Sequence, residues 1–183
     1  MKILQNNKNN EGFTIVETLV AISILSLSVA GAFTAVQGGI KSSTVAKDQI
    51  TAFYLAQEGM EFIKNVRDEN ALHSVSGQST GWLDDLSSVS SDPCFFGKIC
   101  RIDSYLKTIA TCSGGFGTCP NIKKDSSTGL FGYTPSWPDT VFKREIQFQQ
   151  IGTDEVFVIM RISWTNRGMQ KFFQASETLF NRQ

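Results

Sequence analysis

Residues 13–36 read FTIVETLVAISILSLSVAGAFTAV, a run in which 16 of 24 side chains are apolar and Glu17 is the only charge. No Lys or Arg occurs between Lys8 and Lys41. As a helix rising about 1.5 Å per residue, the run extends roughly 36 Å, enough to cross a hydrocarbon core of about 30 Å with some tilt. Lys2 and Lys8 precede it, and the positive-inside rule then places the N-terminus in the cytoplasm and everything after the helix outside. The remainder has ordinary water-facing composition, with 15 basic and 15 acidic side chains from Lys41 onward. At 183 residues in all, there is room for one domain beside the helix. The whole chain balances 17 Lys+Arg against 17 Asp+Glu with a pI near 6.6. That balance lacks the basic footprint of a nucleic-acid binder, so no sequence-specific nucleic-acid partner is expected.

Three readings compete for this N-terminus. A secretory signal peptide finds an A-x-A-like site at Ala30-Gly31-Ala32, but the apolar run continues beyond it through Phe33 and Val36. A plain anchor helix gives no reason for Glu17, whose carboxylate costs up to about 3 kcal/mol toward the bilayer centre. The third reading explains it. Residues 11–20, EGFTIVETLV, combine a short basic leader ending in Gly12, then Phe13, then a glutamate four residues on, then the long apolar run. This pattern resembles the processing motif of type IV prepilins and pseudopilins.

The resemblance implies a leader over residues 1–12 and a cut between Gly12 and Phe13 by a prepilin peptidase. It also implies N-methylation of Phe13 and retention of the helix in a filament. Glycine before the scissile bond leaves the backbone open to close approach. Cleavage creates an amine on Phe13, which a helix beginning there places about 6 Å axially from Glu17. In the family the glutamate is thought to meet the N-terminal amine of a neighbouring subunit, which makes a buried charge a register device for assembly. The implied partners are prepilin peptidase, other pilin or pseudopilin subunits and, indirectly, an assembly platform and ATPase. The implied location is the cytoplasmic membrane and then a cell-surface or periplasmic filament.

Further along, Ala46, Ile50, Phe53, Ala56, Met60, Ile63 and Val66 recur at steps of three and four with charged or amide residues between them, which predicts an amphipathic helix over residues 38–68. Its apolar stripe, Phe53 and Met60 included, is expected in a core. Gly31 and the pair Gly38-Gly39 lower helix propensity by about 1 kcal/mol each and mark where the rod could bend. Residues 74–92 are rich in Ser and Gly and predict a surface connection anchored by Trp82. Cys94, Cys100, Cys112 and Cys119 follow. An oxidising location favours disulfides, and of three connectivities the sequential pairs close the shortest loops. A zinc site, with gaps of five and six residues and no neighbouring His, and reduced thiols are the alternatives. The stretch RIDSYLKTIAT between the pairs has strand-like composition.

The last third carries the clearest β pattern. VFKREIQFQQI is followed by a Gly152-Thr153-Asp154 turn, then Val156, Val158, Met160, Ile162 and Trp164 on one parity, then an Asn166-Arg167-Gly168 turn and MQKFFQASETLF. This predicts a three-stranded antiparallel meander with Trp164 in the core. The expected fold is therefore α+β and pilin-like: a long N-terminal helix, membrane-spanning and filament-forming over 13–37 and amphipathic over 38–68, on an extracytoplasmic β domain over 69–183. The ending resembles minor pilins and pseudopilins more than a major pilin. The only histidine, His73, reads as a solvated loop residue, and no P-loop, G-x-G-x-x-G or H-E-x-x-H motif occurs. Asp68 and Asn70 lack the remaining spacing of a calcium loop. No catalytic residue, metal or cofactor is expected; the two functional classes left are a filament subunit and a membrane-anchored module that binds a ligand, surface or DNA.

Overall fold

The computed structural model describes residues 12–166 and 168–181. The leader expected over 1–12 lies outside the described residues apart from Gly12, as does Arg167 of the last turn. The chain divides between Val45 and Ala46 into two units, both of which contribute to one helix, α1, Ile15–Val75.

In the first unit α1 begins two residues later than expected, at Ile15 and not Phe13. Thr14 is the reason. Its Oγ1 accepts the Glu17 backbone N–H at 3.2 Å, the N-cap geometry of a Thr-x-x-Glu start, and an N-cap residue stands outside the helical dihedrals. The hydroxyls of Ser23, Ser28 and Thr34 donate to carbonyls four residues back, so these side chains satisfy themselves within the helix, as a hydrocarbon setting requires. None of its apolar window is buried by the chain, and among the described residues α1 is the one helix long and apolar enough to cross a membrane. It runs without interruption past Gly31, Gly38 and Gly39.

In the second unit α1 continues beyond the expected Asp68 to Val75. It stops in a Schellman turn: Gln78 N donates to His73 O and Gly77 N to Ser74 O, with Gly77 at φ +86°, a left-handed conformation that a glycine adopts without strain. His73 consequently lies exposed in the last helical turn, not in a loop. The buried helix face is Ala52, Leu55, Ala56, Gly59, Met60 and Ile63, whereas Ala46, Ile50 and Phe53 of the expected stripe are exposed. Two apolar stripes overlap here, and the sheet takes the one with small residues. A Cβ on Gly59 would sit 2.7 Å from Met160 Cε and 3.1 Å from Arg144 Cδ, so this close approach excludes a side chain.

Among the described residues seven strands follow α1: β1 Ile99–Asp103, β2 Thr108–Thr111, β3 Lys123–Lys124, β4 Phe131–Gly132, β5 Phe142–Gln150, β6 Glu155–Asn166 and β7 Met169–Phe180. The expected meander is β5-β6-β7, fully antiparallel, with Phe142 opposite Trp164 and Val156 opposite Leu179. The strand-like stretch between the cysteine pairs folds into the β1–β2 hairpin, which joins the β5 edge to give a five-stranded sheet in the order β2-β1-β5-β6-β7. β3 and β4 form a separate small hairpin. Strand alternation holds to the residue: Val156, Val158, Met160, Ile162 and Trp164 are all buried, and they share a core cluster with the helix stripe. The α+β architecture is thus a long N-terminal helix packed on a C-terminal antiparallel sheet.

The connection after α1 is turn-rich, and its anchors are Leu83 and Leu86, both buried, while Trp82 is half-buried against the same core. Asn70, itself buried, donates Nδ2 to Asp84 O at 2.9 Å and holds this segment to the helix. Two disulfides complete the unit, Cys94–Cys100 and Cys112–Cys119, the sequential pairs. Each closes a short loop, with sequence separations of 6 and 7. Chain-entropy reasoning gives each about 2.5 kcal/mol of stabilisation. Replacing both Cys94 and Cys100 by alanine is therefore expected to lower the thermal midpoint of the domain by about 5–10 °C, measured by scanning calorimetry against the parent chain.

Candidate processing and assembly site

Gly12, Phe13 and Thr14 precede the helix in non-helical, exposed backbone, with Phe13 at 81% exposure and nothing within 4 Å of a Cβ built on Gly12. The Gly12–Phe13 bond is thereby open to an extended, protease-like approach, which a bond inside the helix would not be. Glu17 follows in the first helical turn, where the partial positive charge of the helix N-terminus favours a carboxylate. Its side chain is exposed, as are the apolar side chains of Ile15, Val16, Leu19 and Val20 around it. The Thr14 cap alters one expectation: the Phe13 nitrogen stands before the N-cap, so helical rise alone does not set its distance from Glu17.

The four cysteines form no part of this site. They staple the folded unit, with Cys94 and Cys100 in the main core and Cys112, Cys119 and Ile99 in a second small cluster with Phe116 packed against it. Among the described residues no group of His, Cys, Asp or Glu is arranged to hold a metal ion.

The sequence reading missed the buried charges of β5. Arg144 is 0% exposed. Its Nη2 donates to Ile102 O at 2.6 Å and Ser104 Oγ at 3.1 Å, its Nη1 donates to Leu55 O at 3.3 Å, and Nη1 lies 3.6 Å from Glu58 Oε2. One side chain thus ties β5, β1 and α1 together. Glu145, also 0% exposed, points to the other side of the sheet and accepts the Gly117 and Cys119 backbone N–H groups at 2.6 and 3.1 Å. It clasps the Cys112–Cys119 loop. The available signal was parity: Arg144 stands between Phe142, Ile146 and Phe148 on the inward positions of its strand. Asp103 has a similar role in the β1–β2 turn, accepting N–H bonds from Tyr105, Leu106 and Tyr133.

Among the described residues two groups have shifted titrations. Burial pushes the Tyr133 hydroxyl up to about 12, and the Arg101 guanidinium covers its ring at 4.4 Å. Hydrogen bonds from Thr128 and Ser127 bring Asp125 down to about 2. A depressed carboxylate contributes its turn-holding bonds above the unfolded value of 3.8, and they are lost as pH falls through about 2. The β3–β4 turn is expected to stay closed at neutral pH and loosen between about pH 4 and 2, seen as faster amide exchange at Ser127 than at core positions such as Ile146.

With this geometry in place, the comparison with known families is informative at the N-terminus. Residues 7–33 match the family described as the prokaryotic N-terminal methylation motif. The match spans the second half of the expected leader, the Gly12–Phe13 bond, Glu17 and most of the apolar run, and it supports a type IV pilin-like, membrane-anchored chain. Neither a curated protein nor a solved structure matches the chain.

Proposed function

We propose that this protein is a structural, pilin-like subunit, cut between Gly12 and Phe13 by prepilin peptidase, N-methylated on Phe13 and assembled into a type IV pilus or type II secretion-type pseudopilus as a minor subunit. The observation that carries the reading is the compound N-terminus: an exposed Gly-Phe bond, a glutamate in the first turn and an uncovered apolar helix, all within a methylation-motif match. In this reading residues 13–37 span the cytoplasmic membrane with the N-terminus inside and then line the filament, residues 38–68 connect, and residues 69–183 form the external domain. Prepilin peptidase, fellow subunits and, through them, an assembly platform and ATPase are the partners, and no enzymatic step belongs to this chain. Stacking of identical or similar subunits through heterologous contacts gives an open filament and not a closed ring. Mass spectrometry of the mature protein is expected to find N-methylated Phe13 as the first residue. An intact Met1, or a start at Phe33, overturns the proposal.

A second reading, a binding module on a membrane anchor, draws on one feature. A groove of about 1110 Å³ lies between the Glu58 to His73 face of α1, the turns after it and the β1–β2 hairpin. It exceeds the range of most small-molecule sites. Glu61, Glu69, Asp84 and Asp85 line it against Lys107, which opposes a nucleic-acid backbone as its occupant. Under this reading the chain stays in the membrane and is absent from sheared filaments.

A further inference from the structure

β7 is the last strand of the five-stranded sheet, and among the described residues no strand pairs with its outer edge. It is 12 residues long and matched one to one with β6, without a bulge. Every second residue therefore turns its N–H and C=O sideways, away from β6 and without a strand partner. Sheets commonly protect such an edge with a proline, a bulge, a very short strand or a row of charges. β7 uses none of these. It reads MQKFFQASETLF, with Lys171 and Glu177 as its only charges, and Met169, Phe172 and Phe180 are exposed. An edge of this kind takes up another extended strand through main-chain hydrogen bonds.

The side chains select which strand. Lys171 and Glu177 lie three residues to either side of Gln174. A second β7 laid antiparallel, with Gln174 opposite Gln174, therefore sets Lys171 against Glu177 at both ends, and opposite charges across a strand pair attract. The same register places Phe172 opposite Ser176 and Phe173 opposite Ala175, so each ring meets a small side chain. Sliding by two residues in either direction leaves both charges opposite apolar side chains: Lys171 meets Ala175 or Leu179, and Glu177 meets Met169 or Phe173. Sliding by one sets the core face of one strand beside the solvent face of the other. Glu177 has room for a second cation, since it holds Lys64 at 2.8 Å with its side chain still 41% exposed.

We propose that the β7 edge binds β7 of a second copy of this chain, antiparallel and centred on Gln174, which joins the two five-stranded sheets into one. The contact is isologous and closes after two copies. It is therefore not the contact that repeats along an open filament, and it stands whether or not the chain enters one.

Cysteine cross-linking of the full chain, purified in detergent, tests it. The four native cysteines are engaged with one another, so an introduced thiol is the free one. Directly opposed residues of antiparallel strands have Cα atoms about 4.5–5.5 Å apart, within the roughly 4.4–6.8 Å that a disulfide spans. Gln174→Cys is expected to give a disulfide-linked dimer on mild oxidation. Phe172→Cys alone and Ser176→Cys alone are expected to stay monomeric, because each thiol lies about 13 Å along the strand from its own copy, yet a mixture of the two chains cross-links. With Gln174→Cys as the reporter, Lys171→Glu or Glu177→Lys alone is expected to reduce the dimer at least tenfold, and mixing the two chains restores it. Unchanged thermal midpoints for these variants show that the domain is still folded. Gln174→Cys chains that remain monomeric, equal cross-linking at positions 172, 174 and 176, or charge variants that dimerise like the parent overturn the proposal.

Discussion

Arg144→Ala is expected to destabilise the β domain by about 3–5 kcal/mol, a large share of the roughly 5–15 kcal/mol that a domain possesses. The side chain is fully buried, and its guanidinium serves carbonyls of Leu55 and Ile102, the Ser104 hydroxyl and the Glu58 carboxylate. Alanine removes all four partners at once. It leaves the Ile102 carbonyl desolvated without its donor, and it opens a cavity beside Met160, which lies against the same Gly59 position. Arg144→Met keeps the volume and removes only the polar contacts, so it is expected to cost less than Arg144→Ala. Urea unfolding followed by tryptophan fluorescence, to which the buried Trp164 contributes, measures both. A loss below about 1 kcal/mol for Arg144→Ala would show that the buried contacts do not join helix and sheet.

Under the proposed function, Glu17→Ala is expected to lower incorporation into filaments about a hundredfold or more, with the proposed cleavage at Phe13 and unfolding of the β domain unchanged. The domain is indifferent because Glu17 lies in the first unit, exposed, with no ion pair among the described residues. Its local role in the first helical turn is worth only about 0.3–1 kcal/mol, too little to explain so large a loss. The larger loss comes from assembly. In the proposed filament a carboxylate carried into an apolar bundle needs a cation, and the proposed cleavage would supply one as the new amine on Phe13; leaving either charge unpaired costs about 3–5 kcal/mol. Glu17→Gln, which keeps the shape and a hydrogen-bonding group, is expected to fail nearly as badly. Incorporation of Glu17→Gln at the parent level would mean that hydrogen bonding and not charge sets the register.

Legibility from sequence followed the range of the interactions. The β5-β6-β7 meander could be read because its strands are neighbours in sequence and their alternation is set by the pleat alone. Residue parity marked Trp164 and its four companions as inward, and they are buried. The helix face was read less well. Ile50 and Phe53 fit a 3.6-residue period as well as Ala52 and Leu55 do, and only the sheet's need for close approach at Ala52, Ala56 and Gly59 decides between the two stripes. Arg144 and Glu145 were passed over because adjacent charges in a strand ordinarily face water. Their partners, Leu55 and Gly117, are 89 and 28 residues away. Trp82 drew attention as an anchor because of its size, yet Leu83 and Leu86 fill the space under the turns.

The sequence by itself determined what is periodic or local: an apolar run long enough for a bilayer, a Gly12-Phe13 bond with Glu17 at a fixed offset, and strands that alternate. Each follows from backbone geometry acting over a few residues, so no distant partner is needed. The tertiary structure alone decided the rest: which helix stripe meets the sheet, how β1 and β2 extend it, and why a strand buries two opposite charges. Those outcomes depend on close approach and desolvation between segments far apart in the chain. They also leave Ile50, Phe53 and Tyr54 uncovered, an apolar surface the periodicity had assigned in part to the core.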